Sequence, residues 1–369
     1  MVSNDNPYSH LSDDDLLALH SEKVKNVTKW SNFQMVRKIC LNSLYGALGN
    51  QYFRHYKLEN AEAITLTGQV AIRWIERKIN EFVNTALNTE GIDYVIASDT
   101  DSIYLNLGPL VDRVGIQDTK RVVSILNKFC LDKIEPYINE SYDELSDYLQ
   151  CYEKTLVMKR ECIADRGIWT AKKRYILNVW DNEGVRYDEP KLKMMGIEAV
   201  KSSTPAPCRK YIKDCLNIIM TGTEDEMIQY IADKRVEFSS LPAESISFPR
   251  TANNVSKFRN PVTIYNKGTP LHIRGTIMYN HMVREQNLEN KYNLIMDGEK
   301  IKYIYLKVPN KSGENVISFI SQLPREFGLT DFIDYDTMFQ KSFLDPLKVI
   351  LDTIGWQTEK QATLFDFFT

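Results

Sequence analysis

Two carboxylates stand one residue apart in Ile96–Leu107, IASDTDSIYLNL, an otherwise apolar and β-prone run. Asp99 and Asp101, held that close, call for a cation between or beside them. On a strand, side chains at i and i+2 project to one face, so both acids are expected on the same side of a hairpin end. A peptide carbonyl can join them there, and oxygen-only ligation suits Mg2+ or Mn2+ rather than zinc. Two such ions about 3.5–4 Å apart can clamp the attacking and leaving oxygens of a phosphoryl transfer. An EF-hand calcium loop is excluded, because it needs an oxygen ligand at its fifth position and glycine at its sixth, where Ile103 and Tyr104 stand. A plain polar turn, in which Asp is common, stays open as the alternative.

A second group lies upstream in RKICLNSLYGALGN. Lys38, Asn42 and Tyr45 are four and seven residues apart and so line one face of a helix. A lysine there can meet a phosphate as a point charge. Asn42 can position a neighbouring group, and Tyr45 can stack on a base. An ordinary amphipathic helix with a buried Tyr before a glycine break accounts for the same spacing.

The elements that must position these residues are legible in outline. Ser12 is the expected N-cap of a first helix with acids in its first turn, Asp15 standing three residues on. Apolar residues recur helically through Val36, Ile39, Cys40 and Leu44 until Gly46 and Gly49 are expected to interrupt. A second helix is expected over about 61–87, with Val70, Trp74, Ile75, Ile79 and Phe82 on one stripe. DYVIA and SIYLNL then flank the acids as hairpin arms. A helix over about 118–150, strands around KTLVMKRECIA, and a hairpin turning at Asn182–Gly184 follow. KSSTPAPCRKYIKDCLNIIM starts another helix, with Ser/Thr capping and Pro in its first turn, and a domain boundary is placed near Gly196. The rest, 197–369, is mixed and aromatic-rich.

The 369 residues suffice for two or three domains. A composition of 43% hydrophobic, 26% charged and 11% aromatic residues is that of a globular protein with a large core. No apolar run is long enough to span a bilayer, so no membrane partner is expected. The six cysteines lack any C-x-x-C pairing, which argues against a structural zinc site or a disulfide framework; most are expected to be buried thiols. The net charge of −3 conceals a gradient. Basic residues outnumber acids from Lys154 to Lys213, and such a local face can bind phosphates.

Taken together, KICLNSLYGALGN, then SDTDS, then KKRY resemble the fingers helix, palm hairpin and primer-grip motifs of family B DNA polymerases. SLYGALGNQYFRHYKLENAEAITLTGQ, RYILNVWDNEGVRYDEPKLKMMG, KSSTP and HIRG are similar to the replicative polymerases of T-even-type tailed phages. The resemblance runs over nearly the whole chain and is strongest from Gln34 to Pro205. It implies an α+β fold: residues 1–50 as the C-terminal helix of the fingers, 51–196 as palm with an antiparallel sheet and helices, and 197–360 as a mixed, mainly helical thumb. It implies DNA-directed DNA polymerase chemistry, 3′-OH attack on a dNTP with two Mg2+ ions, Mn2+ being able to substitute. Asp101 would be the principal metal-binding and catalytic carboxylate, Asp99 a weaker positioning acid, and Glu161 close to the metal site. Lys38 and Asn42 would hold the triphosphate, and Tyr45 would lie beneath the nascent base pair. Lys172, Lys173, Arg174 and Tyr175, with His272 and Arg274, would contact primer–template DNA. The expected setting is the cytoplasm of an infected bacterial host. Ser98 stands where the family usually has Gly, Ala97 where it has Tyr, and Lys159 where close relatives have an acid near Glu161.

The family bridges its metals with a second aspartate in an upstream D-x-x-S-L-Y-P motif, which is absent from these residues. Also absent are the first fingers helix and the 3′→5′ exonuclease. The chain is therefore expected to be the C-terminal subunit of a split polymerase, a heterodimer inactive without its N-terminal partner. The alternatives are a non-catalytic DNA- and clamp-binding remnant, or a partial fragment. Reverse transcriptases, which pair adjacent acids in a hairpin, fit less well because Thr100 separates the acids here. At the end of the sequence, Gln361, Leu364, Phe367 and Phe368 fit Q-x-x-L-x-x-F-F, a sliding-clamp peptide pattern; packing of these aromatics on their own domain is the alternative.

Overall fold

The structure, a computed structural model, describes Tyr8 and residues 10–360. It is an α+β chain whose strands form small antiparallel sheets. Two compact units emerge. One gathers the described residues up to Ile116 with Phe129–Lys159; the other gathers Gln117–Lys128 with the described residues from Arg160 on. Among the described residues no helix is long and apolar enough to cross a membrane. The tail residues Gln361, Leu364, Phe367 and Phe368 lie outside the described residues.

In the first unit, α1 spans Asp13–Leu48. The expected cap is present: Ser12 Oγ accepts from Asp15 N at 3.2 Å and donates to the Asp15 carboxylate at 2.7 Å. Gly46 does not interrupt the helix, which ends only at Gly49. A lone glycine costs about 1 kcal/mol relative to Ala, too little to break a long helix. None of the residues of α1 is buried.

Helix α2, Leu58–Leu87, buries Ala71, Ile75, Ile79, Val83 and Leu87 at i+4 spacing. The expected stripe is therefore rotated: Trp74 and Phe82 are half-buried and Val70 is exposed. This line meets Ile134, Ile138, Tyr142 and Leu145 in the unit's core. The indole of Trp74 donates to the Ser141 carbonyl at 2.9 Å. The hairpin follows as β1, Val95–Asp99, and β2, Ser102–Leu105, then the short helix α3, Gly108–Val114.

The helix expected over 118–150 is two helices, α4 at Thr119–Phe129 and α5 at Glu135–Tyr148, joined by a π-helical turn at Cys130–Ile134. Pro136 in the first turn of α5 removes one i→i−4 donor, which accounts for the widened turn before it. No strand forms over 154–161. Strand β3, Cys162–Ala171, begins at Cys162, opposite Asn182 at the end of β4, Arg174–Asn182, and one further backbone bond, from Glu183 N to the Glu161 carbonyl at 2.6 Å, closes that end. Strand β5, Val185–Met195, completes the three-stranded antiparallel sheet, with its turn where the sequence places it.

The rest of the second unit runs α6 (Ala206–Thr221), α7 (Glu224–Ser239), α8 (Ala243–Ile246), β6 (Phe248–Thr251), α9 (Val255–Phe258), β7 (Arg259–Asn260), β8 (Ile264–Tyr265), α10 (Leu271–Glu285), β9 (Lys300–Tyr305), β10 (Val316–Phe319), α11 (Tyr335–Phe339) and α12 (Asp345–Ile354). Helix α6 carries Pro207 in its first turn as expected, but its N-cap is Pro205 with no side-chain cap bond. The capping box sits instead at α7, between Thr223 and Glu226. Phe238, Phe319, Phe327, Phe339 and Phe343 fill this unit's core. Of the cysteines, Cys130, Cys208 and Cys215 are buried, Cys162 is half-buried, and Cys40 and Cys151 are exposed.

Candidate active site

The acidic hairpin is pinned by α2. Asn80 Oδ1 accepts from the backbone N–H of Tyr94 at 2.8 Å and of Val95 at 3.0 Å, while its amide donates to Asp93 at 2.7 Å. One turn later, the Asn84 amide donates to the Ile92 carbonyl at 2.7 Å. These two asparagines fix where β1 starts. Register then brings Asp99 opposite Ser102.

Asp99 thus ends β1 and Asp101 stands in the turn, so strand alternation is not what relates the two acids. The turn itself does. Thr100 adopts φ 55°, and Asp101 N donates to the Asp99 carbonyl at 2.6 Å. The Thr100 hydroxyl donates to Asp99 Oδ1 at 3.0 Å, and the Ser102 hydroxyl to the Asp99 carbonyl at 3.2 Å. Asp99 is half-buried and Asp101 exposed. The negative charge of Asp101 reaches the buried Tyr142 of α5, whose hydroxyl is held above its ordinary value first by burial and then by Asp101.

Lys38, Asn42 and Tyr45 lie exposed on α1. Lys38 and Asn42 share a stripe with Trp30, Phe33, Arg37 and Leu41 that forms a shallow hollow along the helix. Tyr45 is fixed by a partner on α2. The Thr65 hydroxyl donates to the Ala61 carbonyl at 3.0 Å, which leaves Thr65 Oγ1 to accept from Tyr45 Oη at 2.9 Å. A groove lined by Tyr45, Gly46, Gly49, Leu58, Ala61 and Thr65 surrounds this pair. The first unit therefore contains both groups that the sequence singles out.

The remaining candidates belong to the second unit. Lys172 and Lys173 form the exposed turn between β3 and β4, Lys173 at φ 62°. Arg174 and Tyr175 turn inward. Both terminal nitrogens of Arg174 donate to Glu198, at 2.8 and 2.6 Å, and Tyr175 is 7% exposed, its ring 6.3 Å from that of Trp169. Glu161 is exposed just before β3 and ion-paired with Lys193. Behind it, Asp181, 1% exposed, accepts from Arg160 at 2.5 Å. Arg274 is engaged by Glu314 at 3.4 Å and by Asn315, and lies 5.9 Å from the Tyr265 ring centre. Half-buried His272 is held below its ordinary pKa by burial and by Arg250. Gly275 of the same HIRG stretch lets α10 meet β10, since a Cβ there would lie 2.9 Å from Ser318 N.

Among the described residues no cluster of three or more His, Cys, Asp or Glu side chains forms a metal cage. Two carboxylates nonetheless suit Mg2+, which commonly takes one or two from protein and completes its shell with waters and substrate phosphates. Sequence reasoning missed Asn80, Asn84, Thr65 and Glu198. Two asparagines at i and i+4 beside the apolar line of α2 were a usable signal for the first pair.

The sequence signature of DNA polymerase family B matches residues 16–354. The chain is similar to the DNA-directed DNA polymerase of Escherichia phage RB69, 38% identical over 354 residues that cover 91% of this chain and 38% of that protein. It is similar also to the DNA-directed DNA polymerase of Enterobacteria phage T4, 37% identical over 374 residues that cover 97% of this chain and 41% of that protein. The chain thus spans about two fifths of the length of these curated relatives.

Proposed function

This chain belongs to DNA polymerase family B, and we propose that it supplies one side of a templated DNA polymerase site acting in an infected bacterium. The primer 3′-oxygen bonds to the α-phosphorus of a dNTP, and the bond to the leaving pyrophosphate breaks. The observation that carries this reading is the occurrence, in one compact unit, of the Asp99–Asp101 turn and the Lys38–Asn42–Tyr45 helix face. In this reading 1–50 belong to the fingers, 51–196 to the palm and 197–360 to the thumb.

Each residue has a task. Lys38 meets the triphosphate as a point charge, and Asn42 helps hold it. Tyr45, tied to Thr65, presents its ring beneath the nascent base pair. Lys172 and Lys173 meet the phosphates of primer–template DNA. Little covalent chemistry falls to the protein; alignment and charge neutralisation supply the acceleration. Asp99 and Asp101 would hold Mg2+, or Mn2+ in its place; bound there, the ions would neutralise charge on the phosphate oxygens.

The site is completed by a polypeptide carrying the upstream aspartate, the first fingers helix and the exonuclease. The exposed stripe of Trp30, Phe33 and Leu41 on α1 supports such a partner, because apolar surface of that extent favours being covered. The test is primer extension by the chain alone, by that polypeptide alone and by the two together. Extension only on mixing is expected; none on mixing with a folded partner would overturn the proposal. Gln361, Leu364, Phe367 and Phe368 are proposed to dock in a sliding clamp. Deleting 361–369 should then shorten clamp-dependent products while leaving distributive extension intact, as read on a primer-extension gel.

A further inference from the structure

Resting on the proposal that the Lys172–Lys173 turn contacts primer–template DNA, we infer that Glu198 and Gly196 are positioning residues for that turn, with Arg174 the strut between them rather than a phosphate contact. A polyanion pulls on a lysine turn, and contacts from outside the turn help it keep its geometry. Lys173 is moreover held at φ 62°, a conformation that non-glycine residues seldom adopt unless the surroundings impose it.

The surroundings here are specific. Gly196, at φ 67°, lies against the turn from behind: a Cβ at this position would overlap the Lys173 carbonyl oxygen and come within 3.1 Å of Arg174 Cγ. Two residues on, Glu198 takes both arms of the Arg174 guanidinium at 2.8 and 2.6 Å, and Lys201 at 2.9 Å. A two-pronged guanidinium–carboxylate pair fixes orientation as well as distance. The Glu198 backbone is anchored in turn, because Ile197 and Ala199 on either side are 0% and 2% exposed and belong to the unit's core. The path runs from core to Glu198, through Arg174, to the lysine turn. An Arg174 that reached for a phosphate would leave the Glu198 side chain, only 18% exposed, with Lys201 as its remaining partner among these contacts.

The sign of one substitution separates this brace from simple electrostatics. Glu198→Gln removes a negative charge near a DNA-binding turn, and by charge alone it should tighten binding. As a brace it should loosen binding by about tenfold, the scale of losing a charged hydrogen bond, and should flatten the salt dependence as the lysines disengage. The experiment titrates a fluorescein-labelled primer–template duplex with the full chain at several salt concentrations. Circular dichroism monitors folding. Glu198→Asp, which keeps the charge, should recover part of the loss, and Gly196→Ala should loosen binding with no change in charge.

The control is the double variant Lys172→Ala/Lys173→Ala. If it binds as tightly as wild type, the DNA-contact reading fails, and the inference with it. If it weakens while folded E198Q and G196A bind as tightly as wild type or tighter, the contact stands and the brace is overturned.

Discussion

The acidic turn at Asp99–Ser102 and the basic turn at Ala171–Arg174 both place a non-glycine residue in the left-handed region, Thr100 at φ 55° and Lys173 at φ 62°. They are held in different ways. The acidic turn is secured by its own hydroxyls, Thr100 and Ser102 donating to Asp99, and by the asparagines that seat β1. The basic turn is secured from behind, by a close glycine and an ion pair rooted in the core. Local fastening leaves Asp101 exposed at the end of the hairpin. Rear fastening ties the basic turn to the core of its unit through Glu198. Left-handed backbone of the same kind is thus held by local hydrogen bonds in one turn and by residues from elsewhere in the unit in the other.

The largest effect that would sharpen this contrast is at Asp101. In the completed enzyme Asp101→Ala should lower single-nucleotide incorporation on the order of 10³-fold, the scale of losing a charge-stabilising group. Asp99→Ala should cost about tenfold; equal losses would erase the distinction between the two acids. Next comes the lysine double variant, which should weaken duplex binding across all sequences and lower the slope of log K against log salt by about two units.

The third effect is on stability. Gly196→Ala overfills the contact with Lys173 at a positive φ and should destabilise the chain by about 2 kcal/mol in urea unfolding. A pH series tests the ion pair. Burial pushes the Glu198 carboxyl up, but hydrogen bonds from Arg174 and Lys201 more than offset this and leave it below its ordinary value. The stabilisation is therefore complete above the ordinary glutamate pKa of about 4.3 and lost as pH falls through the lower folded value. The melting-temperature gap between wild type and Glu198→Gln should be open at about pH 7 and close in stronger acid; a gap independent of pH would break the account.

The smallest effect is at Thr100. A β-branched residue in the left-handed region costs about 1–2 kcal/mol, of which the looser unfolded chain of a glycine variant takes back about 0.5–1. The Thr100 hydroxyl bond to Asp99, worth about 0.5–1.5 kcal/mol, is lost as well, so Thr100→Gly should leave stability within about 1 kcal/mol of wild type in urea unfolding, whereas substitution behind the basic turn destabilises it.

Much of the acidic hairpin was legible in the sequence, because β-branched and aromatic arms flank polar turn residues. The same signal located the Asn182–Gly184 turn, and the Ser12 cap followed from local hydrogen-bond chemistry. The seat of Asp101 was not legible, since pairing Asp99 with Ser102 is a matter of register that Asn80 sets from another element. The Glu198 strut was hidden for a related reason: it joins residues 24 positions apart that only the sheet brings together. Periodicity found the helical face of Lys38 and Asn42 but carries no information on whether the stripe beside it is covered. The rotation of the α2 stripe was lost because Trp74 and Phe82 are apolar yet only border the core.

The central claim is that the acidic turn holds half of a metal site. Its most direct test is an EPR titration with Mn2+, comparing the chain alone with the chain mixed with the complementary polypeptide, each as wild type and as Asp101→Ala. Weak binding alone, tightened on mixing and lost in the variant, is the predicted result. Mn2+ bound as tightly by the Asp101→Ala mixture as by wild type would contradict it.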